Sequence, residues 1–167
     1  MQHNYIYRNA TIADVEKLTA LALLSYGQYK NKLSEEHWKT MAANLGNEKS
    51  HLALLNISTC FVCEHNNSLI GMAYVIPQGN PTAFFEKDWA YIRLLGVDPA
   101  HGGKGIGKKL AELCIGFAGS NGEKTLALHT SEFQDAARHI YESMGFKKVK
   151  ELEPIYRKKY WLYVMPL

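Results

Sequence analysis

The sequence predicts a mixed α/β fold in which helices flank one central sheet. Three observations lead there. Strand-like alternation and helical spacing of apolar residues follow one another along the chain, with neither dominating. The composition of the 167 residues is globular, 47% hydrophobic and 21% charged. One near-continuous apolar strand runs straight into a glycine-rich turn and a helix. The length suits a single domain over residues 1–167, large enough to bury a core without disulfides or metals.

Residues 5–8 alternate as a short strand. Thr11 and Asp14 stand at capping-box spacing, and Val15, Leu18, Leu21, Ala22 and Leu24 follow at helical intervals. Ser34 is placed to cap a second helix through residue 45, with Trp38, Met41 and Leu45 on one face. A further short helical piece is expected over residues 48–56. Residues 61–64 and 69–77 read as strands joined by an Asn66-Asn67 turn, and Gly79-Asn80-Pro81 as a loop. A buried strand over 89–97, interrupted only by Arg93, precedes a helix over 105–118. A strand over 124–130, a helix over 133–144 and two strands over 146–150 and 160–165 complete the chain.

The three cysteines, with no export-type leader in view, predict a reduced, cytoplasmic protein. Cys60 and Cys63 match C-x-x-C, but three residues apart on a strand they point to opposite faces, so two structural thiols are expected and no metal. No apolar run is long enough to span a membrane. A net charge of +3 is too small for a nucleic-acid-binding surface. It is unevenly placed: residues 1–95 carry 8 basic and 8 acidic side chains, residues 96–167 carry 11 and 8. Lys104, Lys108 and Lys109 fall in one acid-free stretch.

That stretch carries the chemistry. After Val97-Asp98-Pro99, the glycines Gly102, Gly103, Gly105 and Gly107 lead into a helix. Glycines let successive backbone N–H groups converge, and a helix start adds its dipole and unpaired donors. Lysines around such a turn favour a diphosphate. The nucleotide loop G-x-x-x-x-G-K-S/T is met from Gly102 to Lys108 but not at Lys109, which has no hydroxyl for Mg²⁺. A dinucleotide G-x-G-x-x-G starting at Gly103 meets Lys108 where its third glycine belongs.

The segment Val97-Asp98-Pro99 followed by Gly102-Gly103-Lys104-Gly105-Ile106-Gly107 resembles the acetyl-CoA pyrophosphate loop of the GCN5-related N-acetyltransferase family, with Gly102 at the position of its leading Arg or Gln. Gln134, Ala137, Tyr141, Gly145 and Phe146 are similar to that family's N-x-x-A-x-x-x-Y-x-x-x-G-F segment, with Gln134 in place of Asn, and Arg8 to Asp14 resembles its opening. The resemblance implies a single, mostly antiparallel central sheet and transfer of an acetyl group from acetyl-CoA to an amine. It also implies cofactor contacts at Leu95, Gly96, Val97, Gly102, Gly103, Lys104, Gly105, Ile106, Gly107, Lys108 and Gln134. Tyr141 takes the general-acid position, since a phenol with an ordinary pKa near 10 stays protonated. The position of the family's strand glutamate holds Tyr91, leaving Glu86, Asp88 and His129 as base candidates, alongside a base acting through water. Gly96 suits a bulge, a close ligand approach or packing.

The acceptor, a small-molecule or peptide amine, is sought among the aromatic residues of the first helices and last strands. Tyr26, Tyr29 and Tyr91 are its candidate contacts, with Trp38, Tyr156, Tyr160, Trp161 and Tyr163 nearby in the same regions. A homodimer is compatible with the fold. Two other readings stay open: a non-catalytic acyl-CoA-binding module, suggested by Gly102, Gln134 and the missing glutamate, and a P-loop-like nucleotide binder.

Overall fold

The computed structural model describes residues 4–167; residues 1–3 of the expected domain lie outside it. Its centre is one seven-stranded sheet. In chain order the strands are β1 (Ile6–Asn9), β2 (Thr59–His65), β3 (Ser68–Ile76), β4 (Ala90–Val97), β5 (Thr125–Ser131), β6 (Lys147–Glu151) and β7 (Tyr160–Pro166), arranged β1-β2-β3-β4-β5-β7-β6. Every neighbour pair is antiparallel except β4 and β5. The helices are α1 (Val15–Tyr26), α2 (Glu35–Leu45), α3 (Glu48–Ile57), α4 (Ile106–Ser120) and α5 (Asp135–Ser143). Each expected element is present within a few residues of its place. Two short 3₁₀ segments flank α1, Ile12–Asp14 before it and Gly27–Lys32 after it, and a third follows β4 at Pro99–His101.

Two apolar layers cover the sheet. Leu18, Leu21 and Ala22 of α1 and Met41 and Leu45 of α2 pack on one face, while Ile106, Leu110, Cys114 and Ala118 of α4 pack on the other. Strand alternation feeds both. Cys60 and Val62 join the α1 layer, Phe61 and Cys63 the α4 layer, and all three cysteines are buried free thiols. The C-x-x-C pair is therefore split across the sheet, as its spacing predicts. Ser34 caps α2 by accepting from the His37 N–H at 3.1 Å, and Trp38 packs half-buried on the Met41 and Leu45 side.

β4 changes phase part-way along. Tyr91 faces the α1 layer and Ile92 the α4 layer, yet Leu94 faces α1 and Leu95 faces α4. The pairing with β3 steps from Tyr74↔Arg93 to Met72↔Gly96, so Leu94 and Leu95 together oppose Ala73. Leu94 takes the left-handed backbone, φ 52°. This is a β-bulge, and it turns the end of the strand over by one residue. Gly96 then sits under α1, where a Cβ would lie 2.5 Å from Ser25 Oγ and 3.1 Å from Ser25 Cβ. The glycine is required by helix packing.

The chain's start is fixed by charge. Arg8 donates to both carboxylate oxygens of Asp14, at 2.8 and 2.9 Å, and through Nε to Glu64 at 2.9 Å. Asp14 also accepts from the Thr11 N–H at 2.8 Å. A bidentate guanidinium pair of this kind ties β1, β2 and the entrance to α1 together.

Two outcomes follow. The Arg8 hydrogen bonds hold the Asp14 carboxyl down to about 2, so its contribution is complete above the ordinary aspartate range and fades as pH falls from about 4 to 2. Asp14→Asn is expected to lower stability by about 1–3 kcal/mol at neutral pH. In urea melts the gap between the two proteins stays constant from pH 7 to 5 and narrows toward pH 2. Gly96→Ala forces α1 off the sheet and is expected to lose about 1–3 kcal/mol. Ser25→Ala, which removes the nearest atom, recovers part of that loss in a double-mutant cycle of thermal melts.

Candidate active site

The parallel contact between β4 and β5 extends over Ala90↔Leu126 and Tyr91↔Ala127 and then ends. Beyond Tyr91 the two strands part, and two cavities occupy the opening. They share Tyr26 and Leu95 in their walls.

The first, about 400 Å³, lies against the start of α4. Its floor is Leu95, Gly96 and Val97 at the end of β4, and its far wall is Ala137, His139 and Ile140 of α5. The glycine turn curls around it. Gly103 and Gly105 hold left-handed φ of 73° and 80°, and a Cβ on either would meet no atom. Their role is conformational, turning the backbone so that the first N–H groups of α4 face the cavity. Gly105 is the N-cap, no acidic residue stands in the first turn, and Lys108 lines the space. The site is built for an anion with a long apolar arm, which is the shape of an acyl-CoA. Lys104 is exposed and outside the cavity wall, whereas Gly102, Ile106 and Gly107 belong to it.

The second cavity, about 290 Å³, fills the gap between the strands. Ile92 to Leu95 form one side, and Leu128, His129 and Thr130 form the other. Met41 and Leu45 of α2 close the bottom, and Phe84, Phe133, Tyr156 and Tyr160 form an aromatic rim. Tyr141 reaches it from α5. The phenol is buried, and that burial, with Tyr26, Cys114 and Tyr29 close by, raises its pKa well above the ordinary value. It therefore keeps its proton at any physiological pH.

His129 lines the same cavity. Its Nδ1 is buried without a hydrogen-bond partner among the described residues, and Phe84, Phe85 and Tyr160 surround the ring at 5.4–5.9 Å. Burial first, and the Arg93 charge second, push its pKa down to about 4, so the imidazole is neutral. Glu86 and Asp88 are exposed on the loop before β4 and line neither cavity.

Other expected contacts also shift. Gln134 lines the second cavity rather than the first. Its Oε1 accepts from the Ser131 N–H at 3.1 Å, Ser131 Oγ at 2.7 Å and Thr130 Oγ1 at 3.3 Å, which secures the start of α5. Tyr91 lines neither cavity: it is buried, stacked on Phe85 at 4.2 Å, and donates to the Asn80 carbonyl at 2.9 Å. Tyr29 belongs to the first cavity, and Tyr26 to both. Trp161 lies under Arg138 and Lys148, and Tyr163 is fully buried with its hydroxyl donating to Glu142 at 2.7 Å.

Sequence reasoning missed Ser25, Gln28, His101 and His139 in the first cavity and Phe84, Arg93 and Phe133 in the second. Arg93 had a visible signal, as the single break in an apolar strand. The others come from elements whose facing is set by tertiary packing.

Comparison with known proteins agrees with this geometry. Residues 21–146 match the family model described as the acetyltransferase (GNAT) family. Over 101 residues the chain is 34% identical to N-acetyltransferase 8B of Homo sapiens, covering 60% of this chain and 43% of that protein. Over 143 residues it is 32% identical to the probable N-acetyltransferase camello of Xenopus laevis, covering 83% and 62%. The chain thus spans about two-fifths of the length of the first curated relatives it matches. The PaiA N-acetyltransferase of Thermoplasma acidophilum, solved with coenzyme A, shares the fold with a TM-score of 0.80 at 17% identity, over 98% of this chain and 99% of that one. The ribosomal-protein-S18-alanine N-acetyltransferase of Escherichia coli does so with a TM-score of 0.75 at 18% identity, over 98% and 94%. No helix among the described residues is long and apolar enough to cross a membrane. The chain belongs to the GNAT acetyltransferase family.

Proposed function

We propose that the protein is an N-acetyltransferase that moves the acetyl group of acetyl-CoA directly to an amine carrying an anionic group and an apolar or aromatic body. The observation that carries this reading is the meeting of the two cavities at Tyr26 and Leu95, where the open edge of β4 lies bare. A diphosphate held at the α4 start directs the thioester toward that seam, and an amine in the second cavity approaches it from the other side.

The chemistry then divides among this chain's groups. Backbone N–H groups on the open β4 edge polarise the thioester carbonyl. The acceptor nitrogen bonds to the acetyl carbon as the carbon–sulfur bond breaks. Tyr141, which holds its proton, supplies it to the departing sulfur and takes a proton back from water, balancing the one the amine releases. The acceptor must be uncharged to attack. His129, neutral and with a free Nδ1, accepts a hydrogen bond from the amine and orients its lone pair, while the amine's proton leaves through water. With a pKa of about 4 the imidazole is too weak a base to store that proton, so the pH–rate profile rises with the free amine and has no limb at an ordinary histidine pKa.

The acceptor class follows from the cavity's charge. Arg93 is its one charged lining side chain, exposed and with no hydrogen-bond or ion-pair partner among the described residues, and no carboxylate lines the space. A second ammonium on the acceptor is disfavoured there; a carboxylate is paired. The aromatic rim suits the apolar remainder. Buried free thiols fit a reducing compartment such as the cytoplasm.

Acetyl-CoA at a hundredfold excess over its Kd is expected to stabilise by about 2.7 kcal/mol, which raises Tm by about 5–10 °C for a chain of this size. Mg²⁺-ATP is expected to do nothing, and the opposite pattern would make the protein a nucleotide binder. Tyr141→Phe is expected to lower kcat about 10²-fold or more with little change in the acetyl-CoA KM, followed by thiol release. Binding without thiol release across a broad amine panel would point to a non-catalytic module.

Arg93→Gln separates the acceptor class from the activity itself. The preference for phenylalanine over phenylalaninamide, read as the ratio of kcat/KM values, is expected to fall about tenfold or more. A wild-type enzyme that acetylates the amide as readily as the acid overturns the anionic-acceptor assignment and leaves the transferase reading standing.

A further inference from the structure

At the other end of the sheet, away from the cofactor turn, a third cavity of about 310 Å³ lies between the C-termini of α3 and α4. Val75 of β3 and Ala90 of β4 form its floor, and Phe117 of α4 forms a wall. Glu123, in the turn leading to β5, closes it. This side chain is 7% exposed; its Oε1 accepts from the Gln78 N–H at 3.3 Å, while Oε2 is buried with no partner among the described residues. A buried carboxylate oxygen without a donor costs free energy until something supplies one.

The surroundings make the same demand. Among the described residues no basic side chain lines the cavity, and none stands in the last turn of either helix. Both helices present the negative end of their dipoles there. Three sources of negative potential therefore converge with no basic residue in the described lining. Asn56, Thr59 and Asn121 add polar atoms around the rim, and Ile57 and Phe117 supply apolar and aromatic surface. A metal ion is a poor match, since no cluster of three His, Cys, Asp or Glu exists among the described residues. The volume holds a chain of a few carbons, and an ammonium supplies the missing donor.

We propose that this cavity is a binding site for a small alkylammonium cation, paired through Glu123 Oε2 with its chain against Phe117. The site is separate from the acceptor cavity and does not depend on the transferase reading. An amine bound here lies at the opposite end of β4 from Leu95 and is not acetylated in place.

The test uses the full chain without acetyl-CoA and n-butylammonium chloride as probe, with n-butanol as its uncharged counterpart and NaCl as the salt control. Titration followed by backbone amide NMR is expected to show saturable shifts at Gln78, Ala90 and Asn121 for the ammonium alone. Glu123→Gln is expected to weaken binding about tenfold or more. Asn121→Lys places a tethered ammonium at the rim and is expected to abolish butylammonium binding. That variant tests the site even if Glu123→Gln fails to fold. Shifts confined to the cavity around Arg93 and Tyr160, equal binding of butanol, or butylammonium affinity unchanged in both variants would overturn the proposal. None of these outcomes bears on whether acetyl-CoA binds or is consumed.

Discussion

The parallel pairing of β4 with β5 lasts for two residue pairs, and nearly everything the molecule can do depends on its ending there. A continuous ladder would seal the sheet and leave no opening between the strands. The parting coincides with the bulge at Leu94, which turns the rest of β4 over by one residue. Without that phase change Leu95 and Val97 would face α1, and the strand would offer no apolar floor beneath the start of α4. A left-handed leucine is an uncommon conformation, stored where the chain needs a strand to change direction. The surrounding sheet over-determines it: β3 holds β4 on both sides of the bulge, at Arg93 and at Gly96.

Two close approaches lock the helices to this broken strand. Gly96 admits Ser25, which sets α1 against β4 and carries Tyr26 to the seam of both cavities. Gly71 does the same for α4: a Cβ there would lie 2.8 Å from Ile106 and 2.9 Å from Leu110. The first turn of α4 therefore rests on β3, and its N–H groups are aimed by packing of the core rather than by the glycine turn alone. The turn supplies the curl, and the sheet supplies the direction. The site is accordingly built on helices and strands, with loops contributing Phe84, Phe133 and Tyr156 to the aromatic rim and β7 contributing Tyr160.

The regular parts of this arrangement were legible because local chemistry repeats along the chain. Helical spacing marks α1 and α2, the split of Cys60 from Cys63 follows from strand alternation, and the glycine turn declares an anion site. What escaped depends on facing. Arg93 was visible as a charge in an apolar strand, but its exposure to a cavity needs the parting of β4 from β5. Tyr91 and Tyr141 are both tyrosines on core elements, and spacing alone does not say that one donates to the Asn80 carbonyl while the other reaches a cavity. Gln134 matched a motif position, yet its amide oxygen is taken up by Thr130 and Ser131. His101 and His139 line the same cavity from segments 38 positions apart in sequence. No window along the chain contains that relation.

The charge distribution gains meaning from the same geometry. Three lysines stand around one turn and all are exposed, but of the three only Lys108 lines the first cavity. Solvated lysines contribute a field that salt screens, whereas backbone donors held at a helix start act at contact distance. In the proposed site anion binding rests chiefly on the backbone, with which a glycine at position 102 is compatible. The same helix has a second end. Over 15 residues, roughly 22 Å, α4 carries its positive pole to the glycine turn and its negative pole to Glu123. Both poles meet a cavity, and the groups beside them reinforce their sign. Lys108 stands at the first, and an unpaired carboxylate oxygen at the second. One helix, fixed to β3 through Gly71, thereby orders two sites of opposite charge preference at opposite ends of the sheet.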